Sequence, residues 1–160
     1  MLDITVNDLD FTKVRIKDAN GEFKEYDLQE ELQINEYKID EEIKLQPGKY
    51  VYWSSILEQV RAYLESSELE EERLRAELYE VSRSTLINGG TAKPTKDQID
   101  AWIMRQDNYL EAKEQVLVYQ KFVRQLHYVV KSLEQRHTML VQLSALKRDQ
   151  MEYERAIKRA

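Results

Sequence analysis

The sequence predicts a mainly α protein: a long antiparallel helical hairpin of coiled-coil type, with a small N-terminal β-hairpin or irregular region, assembled into an oligomer. Three observations carry that expectation. Only 4 Gly and 2 Pro occur in 160 residues, while 34% are charged and 42% hydrophobic, which suits long helices bearing an apolar stripe. Apolar residues recur in steps of three and four over two long stretches, which Asn88-Gly-Gly90 and Pro94 separate. The stripe of the second stretch also runs past the reach of the first, so it predicts cover from elsewhere.

Residues 1–26 break that helical period. Phe11 to Lys17 alternates apolar and polar residues, Glu22 to Tyr26 does so more weakly, and Asp18-Ala-Asn-Gly21 between them is a turn signal. The pattern predicts a β-hairpin, which needs the helices to pack against. Residues 27–46 are acidic with scattered apolar anchors and predict a short helix or irregular strap that Pro47-Gly48 closes. On this reading residues 1–49 form an acidic N-terminal region and residues 50–160 the hairpin, in a single domain overall.

From Tyr50 to about Leu86, Trp53, Leu57, Val60, Leu64, Leu74, Leu78 and Val81 fall on a coiled-coil seam, with Ser67 and Glu71 as its weak positions. The run Glu68 to Glu72 predicts a solvated acidic face. Asn88-Gly-Gly90 stops this helix. Thr95-Lys-Asp-Gln98 then matches a capping box, and helix-compatible sequence continues from there to the C-terminus. Val116, Tyr119, Val123, Leu126, Val130, Leu133, His137 and Leu140 trace the second seam, with Phe122 and Val129 widening it. The first helix, at roughly 37 residues, predicts a partner ending near residue 133 and an overhang of about 25 residues. Met139, Leu140, Leu143, Leu146 and Met151 lie in that overhang, so either residues 1–49 or other subunits must cover it.

Composition bounds the chemistry. With no Cys, the chain forms no disulfide and holds no Cys-ligated zinc, as expected of a reducing, cytoplasmic setting. The N-terminus has no secretory pattern, and no apolar run suits a bilayer. Catalysis finds no motif: there are two His and no phosphate-cradling Gly loop. Glu134-x-x-His137 has the spacing of a di-iron ligand pair, but no second pair accompanies it. The sequence therefore predicts neither an enzyme nor a metal or cofactor. Charge is uneven within the net −6: residues 1–50 hold 13 acidic and 7 basic side chains, residues 51–90 hold 8 and 4, and residues 91–160 hold 9 and 13. The basic C-terminal part permits a nucleic-acid partner that the whole-chain charge disfavours. Lys121, Arg124, Tyr128, Lys131 and Gln135 align on the helix face opposite Phe122, Leu126, Val129 and Leu133. A cationic row with a ring in it can track phosphates and stack on a base.

Ile39-Asp-Glu-Glu, then Gln46-Pro-Gly-Lys-Tyr-Val-Tyr-Trp53 and a long helix, resembles the UvsY-type recombination mediators of tailed bacteriophages. Pro94 to Trp102, Asp107 to Lys113 and the helix through Leu133-Glu-Gln-Arg136 to Leu143 add to the likeness, which covers roughly residues 37–150. The resemblance implies a helical protein of an infected bacterial host's cytoplasm that forms rings and binds single-stranded DNA. It also implies partners: a single-strand-binding protein, whose hold is weakened, and a recombinase, which is loaded. The family's basic run falls on Arg73-Leu-Arg-Ala-Glu-Leu78, where Arg75, Ala76 and Leu78 match and Glu77 replaces a usual basic residue. The expected DNA contacts are Lys121, Arg124, Tyr128 and Lys131, then Arg73 and Arg75, with Arg136, Lys147, Arg148, Lys158 and Arg159 behind them. The competing expectation is a protein-only coiled-coil adaptor, assembly chaperone or host-directed inhibitor that works through the acidic first 90 residues.

Overall fold

The computed structural model describes residues 4–6, 12–17 and 20–159. Three short strands, β1 (Ile4–Val6), β2 (Lys13–Lys17) and β3 (Phe23–Asp27), precede α1 (Leu28–Leu32), a 3-10 turn (Glu36–Lys38), α2 (Ile39–Asn88), α3 (Lys96–Ile103) and α4 (Asp107–Arg159). The chain divides into two compact units, one of residues 1–56 with 125–160 and the other of residues 57–124. Residues 1–49 thus share a unit with the C-terminal part of α4. Among the described residues no helix is long and apolar enough to cross a membrane.

In the first unit the expected hairpin is present. β2 pairs antiparallel with β3, Val14 opposite Tyr26 and Ile16 opposite Lys24, and Gly21 turns the chain at φ +86°. Phe11, Asp18 and Ala19 lie outside the described residues. A further strand, β1, joins β2 antiparallel to give the order β1-β2-β3. Strand alternation buries Val14 and Ile16 on one face, and Tyr26 on that face packs on Tyr52 and Trp53 of α2 at ring-centroid distances of 5.7 and 5.3 Å. Asp27 ends the sheet and starts α1 by accepting from the backbone N–H groups of Gln29 and Glu30. Lys49 then ties α1 to α2 through the Glu31 carboxylate at 3.1 Å.

The expected stop at Pro47-Gly48 is overturned: both residues lie inside the 50-residue α2, which begins at Ile39. Proline inside a helix removes one backbone hydrogen bond. What holds the turns before it is a buried side-chain cluster. The Arg136 guanidinium donates to Glu42 and Gln46, one helical turn apart on α2, and to the Gln33 carbonyl at 3.2 Å. Gln46 in turn donates to the Leu133 carbonyl at 2.7 Å. Arg136 is 2% exposed, and Leu133 and Leu140 on either side of it are 0% and 1% exposed. Residues 33–46 therefore cover the stretch of α4 around Leu133 to Leu140. Tyr50 donating to Glu134, and Lys147 near Asp40, fix an antiparallel sense within this unit. His137, expected on the seam, is exposed, and Arg136 is the buried polar residue instead.

In the second unit α2 ends as a Schellman motif. Gly90 takes φ +99°, Thr91 N–H bonds the Leu86 carbonyl, and Gly90 N–H bonds the Ile87 carbonyl, both at 3.0 Å. Thr95 and Gln98 form the expected capping box. The continuous second helix is corrected to two pieces, because Met104 to Gln106 interrupts it. There the backbone tightens to i−3 bonds from Arg105 to Trp102 and from Gln106 to Ile103, and the Gln106 side chain also donates to the Trp102 carbonyl. The break brings Ile99, Ile103 and Tyr109 into one buried cluster against Leu74, Leu78, Leu86 and Trp102. Burial of such side chains contributes about 1.5–3 kcal/mol each. On α2 the seam leaves Val81, which is 49% exposed, and passes through Ser82, which is 0% exposed and bonds the Tyr79 carbonyl.

Candidate nucleic-acid interface

Each expected contact residue has a definite setting. On the part of α4 in the first unit, Tyr128 is 68% exposed, and Lys131 and Gln135 are exposed with it. They stand three and seven positions further on, the spacing that stacks side chains on one helix face. Val129, Val130 and Leu133 are buried, which fixes that face outward. The ring of His127, also exposed, meets Tyr128 edge-on at 6.4 Å. On the part of α4 in the second unit, Arg124 is exposed and Lys121 half-buried, while Phe122 and Val123 are partly covered.

The arginines of α2 are differently placed. Arg73 bonds Glu77 at 3.2 Å and lies 3.8 Å from Glu70; the bond to Glu77 above all raises its pKa. Arg75 bonds Asp100 of α3 at 3.0 Å, which raises its pKa as well. Both cations are thus engaged by carboxylates of their own chain. Glu77, where the resemblance calls for a basic residue, is one of those partners. Among the second group, Arg136 is corrected outright: buried beneath residues 33–46, it is out of reach of DNA. Lys147 approaches Asp40 at 4.0 Å, and Arg148, Lys158 and Arg159 are exposed.

Two acidic residues of the Glu68 to Glu72 run are also tied into the second unit. Tyr109 donates to Glu71 at 3.0 Å, and Gln120 lies within 3.5 Å of Glu68. Burial first, then the bond to Glu71, raises the Tyr109 pKa above that of a free tyrosine. Glu70 and Glu72 remain exposed around Leu69, itself 69% exposed. Among the described residues, no group of three or more His, Asp or Glu side chains is placed to hold a metal. Glu134, of the Glu-x-x-His spacing, accepts from Tyr50 at 3.2 Å. A groove of about 450 Å³ opens there, lined by Gln46, Pro47, Tyr50, Leu133, Glu134, His137 and Thr138.

The sheet carries a second cationic surface that helical periodicity does not point to. Opposite the buried Val14 and Ile16, the outer face presents Lys13, Arg15 and Lys17 on β2 and Phe23, Glu25 and Asp27 on β3. Phe23 is 43% exposed, with the Arg15 guanidinium 4.3 Å and the Lys17 ammonium 5.4 Å from its ring centroid. The alternation Lys13, Arg15, Lys17 is the signal that could have found this face. Comparison with family descriptions, characterised proteins and solved structures finds no match to this chain.

Proposed function

We propose that this chain is an oligomeric single-stranded DNA-binding protein that acts as a recombination mediator, helping to load a recombinase onto DNA held by a single-strand-binding protein. It performs no bond chemistry. The observation that supports this reading is the exposed ring of Tyr128 with Lys131 one turn along the same outward face of α4. A tyrosine left 68% exposed beside a cation suits a base that stacks while a phosphate is neutralised. Arg124 and Lys121 add charge on the preceding part of the helix. The apolar residues Met139, Leu146, Met151, Tyr153 and Ile157, between 42% and 70% exposed, support self-association, which would multiply weak contacts.

The test is anisotropy of a labelled oligothymidylate titrated against salt. Log K should fall linearly with log salt at roughly −0.7 per phosphate contact. Tyr128→Ala should cost about 1–3 kcal/mol without changing that slope. Arg73→Ala and Arg75→Ala should change affinity little, since both side chains are engaged within the chain. One observation favours a second reading, a protein-only adaptor: Leu69 stands 69% exposed near exposed Glu70 and Glu72, a surface for a basic, apolar partner. It expects no salt-dependent DNA binding and loss of function on Glu70→Lys with Glu72→Lys. Glu71 is unsuited to that test because it holds Tyr109.

A further inference from the structure

The outer face of the N-terminal sheet joins an exposed aromatic ring and two cations set on it. We propose that Arg15, Lys17 and Phe23 form a second binding platform for single-stranded DNA, an inference that rests on the nucleic-acid reading above. Strand alternation fixes the cations first. Lys13, Arg15 and Lys17 project from the same side of β2, about 6.8 Å apart in succession, because Val14 and Ile16 between them are buried. Cross-strand register then sets Phe23 opposite Lys17, and Glu25 opposite Arg15.

The acids on this face are already engaged. Asp27 caps α1 through the Gln29 and Glu30 N–H groups, and Glu25 lies 3.6 Å from Lys13. Arg15 and Lys17 both contact the Phe23 ring. The Arg15 guanidinium, 4.3 Å over the ring, covers that face of Phe23 and offers its own plane for a base to stack on. Lys17, at the ring's other neighbour position, can meet the phosphate of the same nucleotide. Such a surface suits splayed bases and selects single strands, because inside a duplex the faces of each base are covered by its stacked neighbours.

The experiment uses the full chain and a labelled oligothymidylate. Phe23→Ala should weaken binding roughly 5- to 150-fold, the range that loss of one base stack gives, and Phe23→Trp should restore it. Arg15→Gln with Lys17→Gln should make the salt slope shallower by about 1.4, two phosphate contacts on a single strand. Oligonucleotides carrying 5-iodouracil should photocrosslink to the peptide that contains Phe23, a readout that does not depend on a folded variant. Wild-type affinity and slope in both variants, with no crosslink at Phe23 while Tyr128→Ala still weakens binding, overturns the platform and leaves the α4 reading standing. A wild-type chain that binds no single strand overturns both. Polyglutamate that binds as tightly as DNA and is lost with Phe23→Ala assigns the face to an acidic protein partner and overturns the proposal.

Discussion

Arg136 ties residues 33–46 to α4. Its guanidinium, 2% exposed, draws on Glu42, Gln46 and the Gln33 carbonyl. Removing one partner of such a buried set leaves the others unpaired, which costs about 3–5 kcal/mol. Arg136→Met should therefore lower stability by that amount in urea denaturation, and adding Glu42→Leu should return a large part of it. Amide exchange should speed up over residues 33–46 before the rest of the chain. Tyr109 makes a smaller, separable contribution. Tyr109→Phe should cost about 1 kcal/mol, one hydrogen bond to Glu71. The raised pKa of Tyr109 also carries a sign. A proton held more tightly in the folded state gives stability that is present below the free-tyrosine pKa of about 10 and is lost as pH rises above it. Melting temperatures should fall more steeply above that pH in the wild type than in Tyr109→Phe. None of this was legible in the sequence. An arginine one position off the apolar seam looks like a solvated residue until the segment that covers it is placed.

At the scale of elements, local signals were readable wherever they sit within a few residues of their effect. The Thr95 capping box and the Asn88-Gly-Gly90 stop form as the sequence indicates, since a cap needs only its own turn. Gly90→Ala should destabilise by about 1–2 kcal/mol, because φ +99° is left-handed backbone that a Cβ resists. The hairpin was readable from alternation, and its third strand, three residues long, was too short to leave a pattern. Pro47 misled because its cost is local and its compensation is remote: the residues that hold the preceding turns lie on α4. Pro47→Ala should accordingly raise stability, by up to about 3 kcal/mol, and leave α2 unchanged by circular dichroism. The interruption at Met104 to Gln106 carries no Gly or Pro. It follows from the packing of Ile99, Ile103 and Tyr109 on Leu74 and Leu78, which only the folded unit brings together.

For the whole molecule, the overhang expected beyond residue 133 divides into two parts. Residues 33–46 cover α4 around Leu140, whereas Leu146, Met151, Tyr153 and Ile157 stay 42% to 70% exposed. A cut after Glu134 would remove Arg136 and unravel the first unit, so the informative truncation falls after Arg148. Light scattering should give the full chain a mass several times 19.1 kDa and the truncated chain a lower one. The α4 row was legible as a stripe, but its strength was not: Lys121 is half-buried, while Arg124, Tyr128 and Lys131 are exposed. Whether these α4 side chains bind single-stranded DNA is tested most directly by one titration. Oligothymidylate affinity should be measured over a series of salt concentrations for the wild type and for Arg124→Glu with Lys131→Glu, with helicity checked alongside. The wild type should show a steep salt dependence, and the variant weaker binding with a slope shallower by at least about 1.4, roughly 0.7 for each lost phosphate contact. Equal affinity and equal slope in the two proteins, with helix content unchanged, would contradict it.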